Sequence, residues 1–220
     1  MNISLFDVLG PVMIGPSSSH TAGAAKLARV ARTIVEKPFH LVTFGLYGSF
    51  AKTGVGHGTR QALLAGAMGF KEDDERIKTI ETLAKQEGLE YEFYEAELDG
   101  AHENTAVITF YCDDGSKMRV IGCSIGGGRI RITELDGLAS DITAESPTLL
   151  ITQNDKPGVI GAVSGLLAEC GLNIAVMRVS RVARGELANC VIETDGRISA
   201  EVVRQLEKIP NVRSVRAINI

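Results

Sequence analysis

The sequence is poor in cysteine, and the four residues it has, Cys112, Cys123, Cys170 and Cys190, are scattered without a Cys-x-x-Cys pair. That spacing argues against a disulfide framework and against a zinc or iron-sulfur site built from this chain's own thiols, which read instead as small buried side chains. No apolar run is long enough to span a bilayer. The opening residues Met1-Asn2-Ile3-Ser4-Leu5-Phe6-Asp7 lack the basic and apolar regions of a secretory signal, so a cytoplasmic location is expected. Concentrated positive charge is missing as well. The formal charge is −4 with both signs interspersed, which gives no basic patch for nucleic acid or an anionic membrane. Tandem repeats and low-complexity stretches are absent. What is present is ordinary for a folded protein: 220 residues, 45% of them hydrophobic and 23% charged, enough for one large domain or two compact ones.

Residues 10–20 hold two prolines, two glycines and three serines. Apolar residues then recur at Leu27, Val30, Ala31, Ile34 and Val35, so a loop should feed an amphipathic helix. Val42, Phe44 and Leu46 alternate as in a strand, residues 47–58 form a glycine-rich loop, and Gln61-Ala62-Leu63-Leu64-Ala65 favours helix. A further helix is expected from Asp73-Asp74 through Ile77, Ile80 and Ala84, ending at Gly88. From residue 89 the pattern shortens to strand-like segments at 91–98, 105–112, 117–125 and 129–135, for which antiparallel pairing is expected. The clearest hairpin turns at Asp113-Asp114-Gly115-Ser116. Residues 136–146 are short, polar and rich in small side chains, and Pro147 follows, which places a domain boundary at 146/147. The domains are then 1–146 and 147–220.

The second domain reads as strand 148–152, turn Asn154-Asp155-Lys156-Pro157-Gly158, a helix on Val159, Val163, Leu166, Leu167 and Cys170, strands 173–181 and 187–193, a helix through Val202, Val203 and Leu206, and strand 212–218. This β-α-β-β-α-β order is the ferredoxin-like motif. The turn before its first helix, with Gly171-Leu172-Asn173-Ile174 entering the second strand, resembles the ACT family of amino-acid-binding regulatory domains. By that resemblance Asn154, Asp155, Gly158 and Gly161 are effector-binding candidates; as turn chemistry alone, Pro157 and Gly158 need bind nothing.

Three segments of the first domain join a histidine to a loop of small residues: Gly15-Pro16-Ser17-Ser18-Ser19-His20-Thr21, Gly54-Val55-Gly56-His57-Gly58-Thr59 and Gly100-Ala101-His102-Glu103-Asn104-Thr105. Histidine exchanges a proton near neutral pH and orients carboxylates, so three such loops could converge on one centre. Free N–H groups and serine hydroxyls at a helix start suit an anion, although one of these serines alone could simply cap the helix. The glycines around His57 lack the Gly-x-Gly-x-x-Gly spacing of a dinucleotide fingerprint, and Gly126-Gly127-Gly128 lacks the lysine and Ser/Thr of a P-loop, which leaves it a turn or bulge. His40 has no such setting and reads as structural.

The run Phe6-Asp7-Val8-Leu9-Gly10-Pro11, the Ser17-Ser18-Ser19-His20-Thr21 segment, Tyr47-Gly48-Ser49 and Gly54-x-Gly56-His57-Gly58-Thr59 together resemble the β subunits of iron-sulfur L-serine dehydratases. The resemblance covers both domains. It implies an α+β chain whose first, α/β domain is similar to the allosteric substrate-binding domain of some phosphoglycerate dehydrogenases, followed by an ACT domain. It further implies a [4Fe-4S] cluster ligated by a partner α subunit, L-serine as substrate with pyruvate and ammonia as products, no metal held by this chain, and inactivity of the chain alone. Under it, His20, His57 and His102 are the catalytic candidates, and Ser17, Ser18, Ser19 and Thr21 the substrate-binding ones. Glu103 follows His102 where relatives carry proline, so His102 departs from the pattern. Pairing of β subunits through their ACT domains is also expected. Two other readings stand beside this one: a non-catalytic amino-acid sensor that controls another enzyme, and a metal hydrolase, for which the three histidines lack a ligand spacing such as His-x-x-x-His.

Overall fold

The computed structural model describes residues 12–181 and 183–219; the Phe6 to Pro11 motif lies outside them. The chain forms two compact units, one ending at Asp136 and the other beginning at Gly137. The segment Leu138–Ile142, counted with the first domain on sequence, clusters with the second unit as a strand.

In the first unit the serine-rich segment is no open loop. Ser18–Gly23 winds as one π-helical turn that continues into α1 (Ala24–Val35). Leu27, Val30, Ala31 and Ile34 face inward and are buried, as their spacing requires. The helix stops at Glu36, whose left-handed φ of 56° lets its N–H return to the Arg32 carbonyl. Strand β1 (Phe39–Leu46), a one-turn helix α2 (Ser49–Lys52), α3 (Thr59–Ala67), a 3-10 turn (Glu75–Thr79), α4 (Ile80–Gln86) and β2 (Glu90–Glu95) follow, and then β3 (Thr105–Cys112), β4 (Lys117–Gly126) and β5 (Arg129–Leu135). The strands lie in the order β2-β1-β3-β4-β5.

β3, β4 and β5 pair antiparallel as expected, but β2 runs parallel to β1. The cause is the helical crossover between them: a strand that returns by way of packed helices re-enters in the same direction, whereas a tight hairpin reverses it. The hairpin expected at residues 113–116 is present between β3 and β4. Gly126, Gly127 and Gly128, all at positive φ, make the β4–β5 turn.

Close approach between layers depends on missing side chains. Leu27 of α1 seats over Gly122 of β4, and α1 meets α3 at Gly66, where an added Cβ would lie 2.1 Å from the Ala25 carbonyl oxygen. The same device brings the π-helical turn onto β4, with Gly23 against Ser124.

The second unit holds β6 (Leu138–Ile142), β7 (Thr148–Asn154), α5 (Val159–Glu169), β8 (Ile174–Arg181), β9 (Leu187–Thr194), α6 (Ala200–Glu207) and β10 (Val212–Ile218). Strands in the order β10-β7-β9-β8 carry the ferredoxin-like arrangement. Leu149, Ile151, Cys190 and Ile192 from the sheet pack with Val163, Leu167, Val202 and Leu206 from the helices. Ser199 caps α6 by accepting the Val202 N–H. On sequence β6 falls in the polar stretch before the domain boundary; within its unit Asp141 pairs with Arg178 of β8 at 2.8 Å. Cys112, Cys123 and Cys190 are buried, whereas Cys170, just after α5, is exposed.

Replacing Gly66 by alanine is expected to destabilise the chain by about 1–3 kcal/mol in urea denaturation, the overpacking of α1 against α3 outweighing alanine's helix advantage of about 1 kcal/mol. Equal or greater stability in the variant would contradict this packing.

Candidate active site

The local folding of two loops places His20 against its neighbours. Ser17, in extended conformation, starts the π-helical turn: its Oγ accepts the His20 N–H at 3.1 Å, and its carbonyl accepts the Thr21 N–H. Ser17 is therefore the cap that sequence allowed one of the three serines to be. Ser49 and Thr53 stand four residues apart at the start and end of α2, so their hydroxyls share one face. His20 Nε2 lies 3.0 Å from Ser49 Oγ and 3.1 Å from Thr53 Oγ1, and the two hydroxyls are 3.2 Å apart. Thr53 donates its own proton to the Ser49 carbonyl at 2.9 Å.

His57 joins this group from the other side. Its Nδ1 donates to the Thr53 carbonyl oxygen at 3.0 Å, and its ring sits 5.0 Å from that of His20, centroid to centroid. Thr21, buried, donates its hydroxyl to the His57 carbonyl at 3.0 Å and so ties the two loops together. Phe50 closes the inner side, its ring 5.3 Å from His20 and edge-on. Gly54 permits the bend, since a Cβ there would meet the Phe50 carbonyl at 2.2 Å.

The third loop docks on the second through its backbone. The Glu103 carbonyl accepts the N–H groups of Ser49 (2.7 Å) and Phe50 (3.3 Å), and Thr105 accepts from Tyr47. Gly48, at φ 59°, leaves room for this: a Cβ would lie 2.6 Å from the Glu103 carbonyl oxygen. Within the loop the Asn104 N–H donates to His102 Nδ1 at 3.1 Å, and Thr105 Oγ1 donates to the His102 carbonyl. Ser124 of β4 donates its N–H to the Asn104 carbonyl. The Asn104 Oδ1 and Ser124 Oγ atoms are buried without a hydrogen-bond partner among the described residues.

The structure therefore brings the His20 and His57 side chains together and anchors the backbone of the His102 loop to the same helix start. Ser17 and Thr21 are occupied in holding the loops. Ser18 and Ser19 are half-buried on the π-helical turn. Sequence reasoning missed Ser49 and Thr53 as hydroxyl partners of His20; their spacing of four residues just before the His57 loop is the signal that could have found them. His40 lies elsewhere, exposed on β1 with Nδ1 3.2 Å from an Asp113 carboxylate oxygen, beside a cleft of about 340 Å³ lined by Arg32, Phe39, Met68 and Glu87 among others.

Burial lowers the His20 pKa below its ordinary value of 6.5, the charge of His57 acts in the same direction, and a contact with the Ser49 backbone opposes both. His20 is thus biased toward the neutral ring.

None of the four cysteines assembles with another. Cys112 and Cys123 lie on β3 and β4, Cys190 on β9, and Cys170 follows α5. Burial pushes the Cys190 thiol up to about 11 and raises that of Cys123, away from the thiolate that an iron ligand must be. These residues do not fit an iron-sulfur cluster. No group of three or more His, Cys, Asp or Glu among the described residues is placed to hold a metal ion.

In the second unit the turn after β7 is knitted within the chain. Asp155 accepts from the Gly185 N–H (3.1 Å) and from Arg181 (2.7 Å), which hold its carboxyl below the usual range. Asn154 donates to Asn211 Oδ1 and accepts from Arg213 Nε. Gly158, at φ 92°, starts α5 with no side-chain cap, and Gly161 in the first turn has open space around it. Just before the turn, Gln153 is buried with Oε1 unpartnered among the described residues.

Fold and site together define a two-unit α+β protein that carries a histidine–hydroxyl centre in its first unit and an ACT-type sheet in its second. Residues 4–134 match the family Serine dehydratase beta chain, and residues 149–214 match the AHAS small subunit-like ACT domain. The chain is 43% identical over 215 residues to the "Probable L-serine dehydratase, beta chain" of Bacillus subtilis (strain 168), covering 98% of this chain and 97% of that one. It is 44% identical over 193 residues to the L-serine dehydratase beta chain of Peptoniphilus asaccharolyticus, 87% of each. A D-3-phosphoglycerate dehydrogenase of Methanocaldococcus jannaschii is 32% identical over 107 residues, 49% of this chain and 20% of that protein. The chain belongs to the serine dehydratase beta chain family.

The lowered His20 pKa carries a sign for stability. Between the ordinary value and the lower folded one, only the unfolded chain takes up the proton, so stability is complete above pH 6.5 and is lost as pH falls below it. Urea midpoints at pH 7.5 and 5.5 are expected to differ more for the wild type than for His20→Gln; equal differences would contradict the burial of this ring.

Proposed function

We propose that the chain is the β subunit of an L-serine dehydratase and lends the His20–Ser49–Thr53–His57 centre to a reaction site shared with an α subunit. The observation that carries this reading is the convergence of the histidine loops on one helix start, in a chain alignable over nearly its whole length with L-serine dehydratase beta chains. The [4Fe-4S] cluster belongs to the α subunit in this reading, because the thiols of this chain do not come together. The isolated chain is accordingly inactive.

The reaction removes water from L-serine. The α-proton is taken by a base, the C–H electron pair becomes the Cα=Cβ bond, and the hydroxyl departs with the pair of the Cβ–O bond. The resulting aminoacrylate tautomerises and is hydrolysed to pyruvate and ammonia. Of the three candidate histidines, His57 is the proton acceptor in this reading: it is exposed, and the carbonyl at Nδ1 leaves Nε2 to carry the lone pair. His20 is half-buried and held by the Ser49 and Thr53 hydroxyls, and it supports His57 from one side. Ser18 and Ser19 supply substrate contacts in the same reading, while Ser17 and Thr21 build the loops.

An amino-acid effector is assigned to the turn of Asn154, Asp155, Gly158 and Gly161, where the uncapped start of α5 suits a carboxylate. β subunits pair through their ACT units in this reading. The ACT unit taken alone favours a second reading, a non-catalytic amino-acid sensor that controls another enzyme. Anaerobic co-expression with a cysteine-rich α chain separates the two. Under the first reading an iron-loaded complex releases pyruvate from serine, and His57→Ala lowers turnover by about 10²- to 10⁴-fold with iron content unchanged. Wild-type turnover in that variant would remove His57 from the chemistry, and failure to form the complex would favour the sensor.

A further inference from the structure

We infer that the backbone locks His57 and His102 in opposite tautomers, so that the site presents one proton acceptor and one N–H donor, the donor serving the carboxylate of an amino-acid substrate. A carbonyl oxygen has no proton to give, so the 3.0 Å contact of His57 Nδ1 with the Thr53 carbonyl fixes the proton on Nδ1 and leaves Nε2 as the lone pair. The 3.1 Å contact at His102 is the reverse: the Asn104 N–H donates, Nδ1 must be the lone pair, and the neutral ring carries its proton on Nε2. Both outer Nε2 atoms lack a hydrogen-bond partner among the described residues, and both residues are exposed.

Neither contact is a chance of side-chain rotation, because both backbone partners are themselves held. The Thr53 N–H bonds back to the Ser49 carbonyl, and Gly54 admits the tight bend over the Phe50 carbonyl. The Asn104 carbonyl is bound by Ser124, and its neighbour Glu103 by Ser49 and Phe50. Thr53 and Asn104 are positioning residues acting through their main chains. This assignment rests on the dehydratase reading for the identity of the substrate and on geometry alone for the tautomers.

The substrate chemistry matches the pair. A lone pair at His57 Nε2 takes the proton from Cα, which is later returned to solvent, while an N–H at His102 Nε2 meets the anionic carboxylate without moving a proton. Because the donor contact is made with substrate as well as transition state, losing it affects binding first.

Long-range ¹H–¹⁵N correlation spectra of the full chain with ¹⁵N-labelled histidine test the tautomers directly, since only His20, His40, His57 and His102 contribute signals. His57→Gln and His102→Gln identify the two sets. Above pH 7 the His57 set is expected to show a protonated Nδ1 and a bare Nε2, and the His102 set the opposite; either set reversed overturns the inference whatever the enzyme does. In the complex with the α subunit, His102→Gln keeps an N–H donor in a softer geometry, and KM for serine should rise by about tenfold with kcat nearly kept. His57→Gln, which cannot take a proton, should lose kcat by about 10²-fold or more with KM little moved. Equal loss of kcat in both variants with KM unchanged would overturn the division of roles. A complex inert toward serine with the tautomers as stated would sink the dehydratase reading and leave the backbone lock standing.

Discussion

The Glu103 carbonyl, seated over Gly48 and bonded to the Ser49 and Phe50 N–H groups, is the contact on which the arrangement of the first unit's loops depends. It joins the segment after β2 to the segment after β1, more than fifty residues apart in the chain, with a main-chain bond rather than a side-chain one. From it the rest follows in order. α2 begins where that carbonyl accepts its first amides, Ser49 and Thr53 thereby fall on one face, and His20 and His57 meet the hydroxyl and the carbonyl that this face offers. A side chain at residue 48 would separate the two loops before any histidine could be placed.

The histidine loops were legible in the sequence, because a histidine among glycines and serines at an element boundary has no packing role to explain it. The second unit was equally plain: its apolar periods switch between two and 3.6 residues in the βαββαβ order, and the observed strand order is the one that order demands. Three features were not legible, each for a physical reason. The parallel pairing of β2 depends on how α3 and α4 pack, which no local pattern records. The π-helical turn at Ser18–Gly23 depends on Gly23 reaching Ser124, a contact about a hundred residues away. β6 looks like linker because a short polar strand is stabilised by its neighbours, here through Asp141 and Arg178, rather than by its own alternation.

The candidate residues divide along the same line. Ser17 and Thr21 sit in the most recognisable segment of the first unit, and their hydroxyls already bond the His20 N–H and the His57 carbonyl. Ser49 belongs to the recognisable Tyr47-Gly48-Ser49 segment but, like Thr53, is not marked there as a partner of His20, which both touch directly. A sequence motif marks where a loop must keep its shape, and in a loop of this kind most of its polar side chains are consumed in keeping it. The groups left over for a ligand are those whose backbone neighbours already satisfy one side of them.

The His57 and His102 residues of this centre are exposed. His20 is bonded by two hydroxyls and biased toward the neutral ring by burial, whereas His57 and His102 each spend one ring nitrogen on the main chain and leave the other without a partner among the described residues. The cleft beside His40 and the cleft beside Tyr91 are lined by residues other than these histidines. In the proposed reading, a surface with one bare acceptor and one bare donor, held by backbone bonds, is half of a site. In that reading the backbone bonds already hold both loops before the α subunit arrives, and the reaction begins only when it covers them and excludes water.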